Sequence, residues 1–450
     1  MLKTTIAAIS TAIGGGIAII RLSGSHAAEI AKALFHPNGK CSFKSHRMYY
    51  GHLIKDGQVL DECMLTIMKA PRSYTKEDVV ELSIHGGARS AELVLNAVLA
   101  EGAVLAEPGE FTKRAFLNGR IDLVSAQAVI DIINSKTEIS HNQALHRLSG
   151  RLSGAIKDIR DDLLDLLASI EASIDYPEYD TEEEDPRNCL SILATAKAEI
   201  EGLIESGKMG IIISEGLKTV ILGRPNVGKS SLLNRVLGTE RAIVTDIPGT
   251  TRDILTEAIN VRGIPLNIAD TAGIRDSQDL VETIGITKSM EYALDADLIL
   301  YVLDGSDKLD PADLKNLDKL THKKMILVIN KSDLEQKLDF SQFSTIPSVL
   351  VSASQNIGIS DLYDTIYKMF LNEQISIENA ALIGNTRDME SLRKALIHVV
   401  SAVASIESGI SEDMATIDIK DAYVYLGQIL GESLEDDVVD RIFSKFCLGK

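Results

Sequence analysis

The residues best suited to chemistry lie in the run Gly223-Arg-Pro-Asn-Val-Gly-Lys-Ser230. It fits G-x-x-x-x-G-K-[ST], in which glycines let backbone N–H groups turn onto phosphate oxygens. The apolar run Thr219–Leu222 precedes it and a helical pattern opens at Lys229, so a helix dipole adds to anion binding. Lys229 would neutralise β- and γ-phosphates, and the Ser230 hydroxyl would ligate Mg²⁺. Asn226, Val227, Gly228 and Ser231 complete the candidate phosphate site.

Three further segments follow in order. Asp270-Thr271-Ala272-Gly273 ends an apolar strand; an aspartate there holds Mg²⁺ through water, and the glycine amide senses the γ-phosphate. Asn330-Lys331-Ser332-Asp333 follows Met325–Ile329, and Ser352-Ala353 follows Val349–Val351. Asp333 can accept both N1–H and N2–H of guanine, a pair adenine does not offer. Asn330 is expected to reach N7 or O6, and the Ala353 amide to donate to O6. Each segment ends a strand at its carboxyl end, the edge where open α/β sheets bind ligands. GTP is the expected ligand.

One part is missing. In Ras-like GTPases a glutamine after Asp-x-x-Gly orients the attacking water, and here Ile274 stands in that place. Arg275 and Glu282 are the nearest downstream polar candidates for catalysis beside Lys229. No arginine finger is evident, and Asn226 could instead help to place a monovalent cation.

The elements that must position these groups fall into three textures. Residues 1–118 are rich in β-branched residues broken by glycine and proline, as in Ile17–Leu22, Val59–Met68 and Val79–Ile84, and read as a mixed α/β domain. Leu123–Ser173 has helical periodicity, and the acidic run Pro177–Pro186 after it reads as a solvated loop. Residues 216–373 alternate short apolar runs with helical patterns, which predicts buried parallel strands in a doubly wound α/β domain. Leu392, Ala395, Leu396, Val399, Val400, Val403 and Ile406 then form one core-facing stripe. Domain termini often lie close together, so residues 119–215 and 374–450 are expected to form one helical domain into which 216–373 is inserted.

Composition limits the function classes. The chain has 450 residues, 45% hydrophobic and 25% charged, which excludes a disordered, collagen-like or polytopic membrane protein. Its net charge of −19 repels bare phosphodiester, although residues 1–120 carry a net of +3. Four cysteines without a C-x-x-C pair argue against a disulfide framework or a cysteine-rich zinc site, and fit the cytoplasm. Lys3 and the apolar stretch Thr5–Ile20 are similar to a weak signal peptide. Gly14-Gly15-Gly16 interrupts that stretch and Arg21 follows it, so a strand, a turn and a second strand explain it better. No apolar run reaches the ~20 residues of a membrane-spanning helix.

Beyond the nucleotide motifs, the chain carries Ile19-Ile-Arg-Leu-Ser-Gly24, Tyr74-Thr-Lys-Glu-Asp-Val-Val-Glu-Leu82, His85-Gly-Gly87 and Pro108-Gly-Glu-Phe-Thr-Lys-Arg-Ala-Phe-Leu-Asn118. It also carries Ile174-Asp-Tyr-Pro177, Asp246-Ile-Pro-Gly-Thr-Thr-Arg-Asp253 and Phe446-Cys-Leu-Gly-Lys450. With these the chain resembles, over nearly its whole length, the tRNA uridine-5-carboxymethylaminomethyl modification GTPases, the MnmE/TrmE family. The resemblance implies an N-terminal α/β folate-binding-like dimerisation domain, a discontinuous helical domain and an inserted Ras-like P-loop GTPase domain. It implies a homodimer that joins an FAD-dependent partner in a heterotetramer and modifies C5 of the wobble uridine of certain tRNAs. The FAD would sit on the partner only.

The same resemblance assigns site residues. A tetrahydrofolate derivative (5-formyl or 5,10-methylene) falls on Arg21, Glu81, Arg120 and Lys450. Charge agrees: a carboxylate suits the pterin amino–imine edge and basic groups suit the anionic tail, although from the residues alone a salt bridge among them is the plainer explanation, which the resemblance reverses. The GTP site extends over Thr245, Asp246, Ile247, Pro248, Gly249, Thr250 and Thr251, with Thr251 the second protein ligand of Mg²⁺. The K⁺ site falls on Asn226, Thr245, Ile247 and Thr250, the catalytic glutamate on Glu282, and the C-terminal cysteine, a candidate redox thiol, on Cys447. Two departures stand out: Thr11–Gly16 lacks a Pro-Pro-Gly-Arg character, and Leu448 replaces an isoleucine. The alternative is a ribosome-assembly or RNA-chaperone GTPase, which needs a basic RNA-binding module that this acidic chain does not display. A purely regulatory GTP switch is the third reading.

Overall fold

The architecture comes from a computed structural model that describes residues 4–175, 186–239, 256–269, 292–370, 383–409 and 412–449. Of the expected acidic loop Pro177–Pro186, only Pro186 is among the described residues, and it opens a helix. The chain packs as two compact units, residues 1–130 with 426–450 and residues 131–425.

In the first unit β1 (Ile6–Ile9), β2 (Ile17–Ser23), β3 (Phe35–Pro37), β4 (Arg47–Lys55), β5 (Gln58–Met68), β6 (Val79–His85) and β7 (Val104–Leu105) form one sheet. Its order is β3-β4-β5-β6-β2-β1-β7. The N-terminal apolar stretch is therefore a strand, a turn and a strand, with Gly14 at φ +99° in the turn and Ala8 opposite Arg21. Alternation in β2 turns Ala18, Ile20 and Leu22 inward and leaves Ile17 63% exposed. The inner face packs against α1 (Ala27–Leu34) and α2 (Ala88–Ala100), whose Ala27, Ala31 and Ala91 let the helices approach closely. Each fully buried Ile or Leu here, such as Ile20, Leu65 and Leu82, contributes about 1.5–3 kcal/mol. On the opposite face Ile6 and Ala8 of β1 are covered by Ala106 and Phe111, but the β4–β5 end stays open, with Tyr50 paired to Met64 and both exposed beside Met48.

The C-terminal tail belongs to this unit. After α3 (Glu110–Leu117) and α4 (Leu123–Asn134), the late helix α13 (Asp436–Phe443) brings Phe443 within 6.0 Å of Phe116 and 5.1 Å of Phe446, ring centre to ring centre. Leu123 and Ala126 complete that cluster. Lys113 pairs with Asp440. Gly109 sits at φ +71°, where an added Cβ would lie 2.5 Å from the Phe443 carbonyl oxygen.

The second unit holds β8 (Leu217–Leu222), β9 (Thr256–Val261), β10 (Ile264–Ala269), β11 (Leu298–Asp304), β12 (Met325–Asn330) and β13 (Ser348–Leu350), ordered β13-β12-β11-β8-β10-β9. All neighbours are parallel except β9, which pairs antiparallel with β10. This corrects the expectation of parallel strands alone. Arg262 and Gly263, both at positive φ, form a two-residue hairpin turn that local texture did not reveal. The turn rests on the helical layer: Thr137 Oγ1 donates to the Gly263 carbonyl at 3.2 Å, and Arg262 pairs with Asp364 at 2.5 Å.

The helical texture of Leu123–Ser173 resolves into three helices, α4, α5 (Glu138–Leu148) and α6 (Arg151–Asp175). A Thr137–Ser140 capping box starts α5, and Gly150 at φ +84° separates α5 from α6. The long α7 (Pro186–Glu215) packs along α11 (Thr386–Glu407), which follows α10 (Ile359–Phe370) and precedes α12 (Glu412–Leu430). On α11 Leu392, Ala395, Val399 and Ile406 are buried as expected, but Val400 is 42% exposed, so the core stripe is narrower than its periodicity suggested. Among the described residues no helix is long and apolar enough to cross a membrane. None of the four cysteines forms a disulfide among the described residues.

Gly109→Ala is expected to lower stability by about 1–3 kcal/mol, because it combines a left-handed backbone with a backbone collision. Hydrogen exchange of residues 443–449 should accelerate with it. An unchanged melt and unchanged exchange would show that this close approach does not hold the tail.

Candidate nucleotide and anion sites

The phosphate loop joins β8 to α8 (Lys229–Thr239), as its motif requires. Gly223 (φ +142°), Asn226 (φ +65°) and Gly228 (φ +99°) take left-handed backbones. Asparagine tolerates that region better than most residues. The glycines also permit contact: a Cβ on Gly223 would stand 2.3 Å from the Val302 carbonyl oxygen, and one on Gly228 2.1 Å from Asn330 Nδ2. This narrow cradle fits the backbone approach that a bound phosphate chain demands.

Asn330 ends β12 and is 3% exposed. Its Nδ2 donates to the Val227 carbonyl at 2.8 Å, and its Oδ1 accepts the Ala353 N–H at 3.1 Å. Asn330 and the Ala353 N–H are the groups expected to face guanine N7 or O6. Both groups are engaged with each other, and the carboxamide clamps the phosphate loop to the Ser352–Ala353 segment. Arg235 on α8 supports the same segment, donating to the Ala353 carbonyl at 3.0 Å and the Ser354 carbonyl at 3.1 Å. No motif marked Arg235. A basic residue one helical turn and more past Ser231 was the only available signal.

Lys229 Nζ donates to the carbonyls of Gly223 at 2.8 Å and Arg224 at 2.6 Å, inside its own loop. Ser230 and Ser231 are exposed at the start of α8. Lys331, at φ +62°, pairs with Asp304 at 2.5 Å. Burial pushes the Asp304 carboxyl up, but the hydrogen bonds from Lys331 and Ser306 outweigh it and hold the group below its usual value. Asp333 is exposed beside this pair. The structure thus brings Asn226, Val227, Gly228, Lys229, Ser230, Ser231, Asn330, Lys331, Asp333, Ser352 and Ala353 to one edge of the sheet. Thr245–Thr251, Asp270–Gly273, Ile274, Arg275 and Glu282 lie outside the described residues. Of the expected metal ligands, Ser230 and Asn226 are described, and their oxygen-bearing side chains suit a hard cation.

Arg224, the second residue of the loop, was not singled out. Its Nε donates to Asp313 Oδ2 at 2.7 Å and its Nη1 to Asp310 Oδ2 at 3.1 Å. Both carboxylates belong to the N-terminal turn of α9 (Pro311–Leu320), which Asp310 caps. Burial weighs against the charged guanidinium, yet Asp313 and Asp310 together raise its pKa above the usual arginine value.

In the first unit Arg21 and Glu81 face each other across β2 and β6. Arg21 Nε and Nη2 both reach Glu81 Oε1 at 2.9 Å, and Nη1 donates to the Gly449 carbonyl at 3.3 Å. The Arg120 guanidinium lies 4.7 Å and that of Arg21 5.8 Å from the Tyr74 ring centre, a cation–π arrangement. Three of the four expected folate residues therefore converge, with Tyr74 as an unforeseen fifth member, while Lys450 lies outside the described residues. The salt bridge anticipated as the plainer explanation is formed. It leaves Glu81 Oε2 without a hydrogen bond among the described residues. A carboxylate paired with one guanidinium, near an aromatic ring that carries a second, fits a ring with an amino–imine edge and an anionic tail. Cys447 is half-buried, and its carbonyl accepts the Gly109 N–H at 3.3 Å.

Asn330→Ala is expected to cost about 1–3 kcal/mol, since it strands a buried carbonyl and a buried N–H. Nucleotide affinity should fall with stability in the same variant. Urea unfolding and a fluorescent guanine-nucleotide titration check this. An unaltered midpoint would mean that the clamp does not organise the loop.

Comparison with known proteins agrees with the geometry. Residues 5–120 match the family described as the GTP-binding protein TrmE N-terminus, and residues 123–447 match the MnmE helical domain. The tRNA modification GTPase MnmE of Bacillus subtilis is 46% identical, over 99% of this chain and 100% of its own. That of Thermoanaerobacter pseudethanolicus is 47% identical over 100% of both. Among solved structures, the G domain of the T. maritima FeoB iron transporter is 28% identical over 34% of this chain and 97% of its own, with a TM-score of 0.26, and no argument rests on it. Matches that run through both family regions and the full length of the relatives leave one assignment: the chain belongs to the MnmE/TrmE family of tRNA modification GTPases.

Proposed function

We propose that this chain hydrolyses GTP in the cytoplasm while it and an FAD-dependent partner attach a carboxymethylaminomethyl-type group to C5 of the wobble uridine of certain tRNAs. The observation that carries the reading is the Asn330 clamp, which joins a complete phosphate loop to the segment that flanks a guanine base, in a chain related to MnmE over its whole length. The proposed domains are 1–118 for folate binding and dimerisation, 119–215 and 374–450 as the helical domain, and 216–373 for GTP. The family matches at 5–120 and 123–447 support the first division. The open sheet face with Met48, Tyr50 and Met64 supports a homodimer through the N-terminal domain, the partner then completing a heterotetramer.

Lys229 leaves the Gly223 and Arg224 carbonyls to meet the β- and γ-phosphates, so binding exchanges two internal hydrogen bonds for charge pairing. Ser230 and Thr251 would hold Mg²⁺, and Asn226, Thr245, Ile247 and Thr250 would hold K⁺. These cations supply positive charge where an arginine finger is absent. Glu282 orients the attacking water in place of the glutamine that Ile274 replaces, with Arg275 beside it. Asp333 selects guanine. Glu81 takes the pterin edge of a reduced folate, and Arg21, Arg120 and Lys450 its anionic tail.

Wobble-uridine modification should disappear from the tRNA of a strain lacking this chain and return with the wild type but not with Glu282→Ala. Single-turnover hydrolysis by the wild type should need KCl and collapse in NaCl, and Glu282→Ala should keep its GTP affinity. Normal modification in the deletion strain would refute the reading, and equal rates in the two salts would remove the K⁺ site. Separately, calorimetry with 5-formyltetrahydrofolate should show about a tenfold or greater loss for Glu81→Ala, the cost of one charge-assisted hydrogen bond. Equal affinity would take Glu81 out of the folate site.

A further inference from the structure

We infer that Arg224 is a positioning residue for nucleotide binding: its fork onto Asp310 and Asp313 fixes the mouth of the phosphate loop against α9. The inference rests on the GTP reading of this loop. Three observations carry it. First, two nitrogens of the guanidinium are held by protein carboxylates, Nε by Asp313 and Nη1 by Asp310, which gives the side chain a mechanical role in the loop. Second, those carboxylates are themselves fixed. Asp313 has a side chain 1% exposed and takes the buried Tyr301 hydroxyl on its other oxygen at 2.9 Å. Asp310 uses its other oxygen to cap the N-terminus of α9 through the Ala312 N–H at 2.8 Å. Tyr301 lies on β11 directly opposite Leu222, the residue before the loop, so the tether starts and ends on adjacent strands. Third, the Arg224 carbonyl is one of the two on which Lys229 rests. The residue that the fork immobilises therefore sets where the phosphate-binding lysine waits.

Such a fork needs both arms. Lysine offers a point charge in place of a planar two-pronged donor, so it satisfies one aspartate only. Arg224 is 26% exposed, and its removal leaves the core intact, but it leaves Asp313 as a buried carboxylate with one partner fewer. The loop then loses its tie to α9, and the waiting position of Lys229 spreads.

The test uses the full chain and a fluorescent GDP analogue. Arg224→Ala and Asp313→Asn should each weaken affinity about tenfold. The double variant should be no weaker than the poorer single one, the mark of a coupled pair. Arg224→Lys should stay within about threefold of Arg224→Ala. The melting temperature of Arg224→Ala, measured without nucleotide, should stay within a few degrees of wild type, which separates positioning from loss of fold. Wild-type affinity in Arg224→Ala would overturn the inference, as would independent losses that multiply in the double variant. Failure of the wild type itself to bind the analogue would instead strike the GTP reading of the loop.

Discussion

One buried carboxamide holds the nucleotide face together. Asn330 is nearly inaccessible, and its two ends satisfy a carbonyl from the phosphate loop and an N–H from the segment after β13. A neutral hydrogen bond contributes about 1 kcal/mol net, but each buried group left unpaired costs about 1–3 kcal/mol. The clamp is therefore worth more in what it prevents than in what it adds. It also explains Gly228, because the Asn330 amide fills the space where a side chain at 228 would stand. Loop, base segment and the C-terminal end of β12 become one body through this contact.

Around that body the loop is held at its far end by charge. Gly223 and Arg224 present carbonyls inward to Lys229, while the Arg224 side chain turns to α9. The lysine has hydrogen-bond acceptors within its own loop, so it is not a bare cation in a pocket of N–H donors. An incoming phosphate chain must offer more than two carbonyls do. Charge-assisted bonds to phosphate are roughly twice as strong as neutral ones, which makes the exchange favourable and selective for anions.

The motifs made the site legible to the extent that chemistry is local in sequence. The phosphate loop, Asn330–Asp333 and Ser352-Ala353 were each readable because a short segment at a strand end carries the whole signal. Five of the six strands of the second sheet could be read as apolar runs. The antiparallel β9 could not, since a two-residue Arg-Gly turn resembles any loop until φ is known. The Asn330 clamp is hidden in the sequence for a related reason. The sequence showed a carboxamide near a guanine motif, but not that Val227 and Ala353 would lie within 3.1 Å of it. Arg224 and Arg235 escaped notice because their partners, 86 to 119 residues away, are set by the fold alone.

The first unit shows the same dependence on distant partners. Arg21 and Glu81 are 60 residues apart, and register between β2 and β6 puts them opposite one another. Arg21 also meets the Gly449 carbonyl, 428 residues away. That last contact exists only because Gly449 has no side chain: a Cβ there would stand 2.4 Å from the Ile9 carbonyl oxygen. Gly109 makes an equally close approach to Phe443. Two glycines thus bring the end of the chain against its first strands. The guanidinium groups of Arg21 and Arg120 share the Tyr74 ring, and two like charges so placed repel one another unless an anion joins them, so the cluster is better suited to binding than to stability.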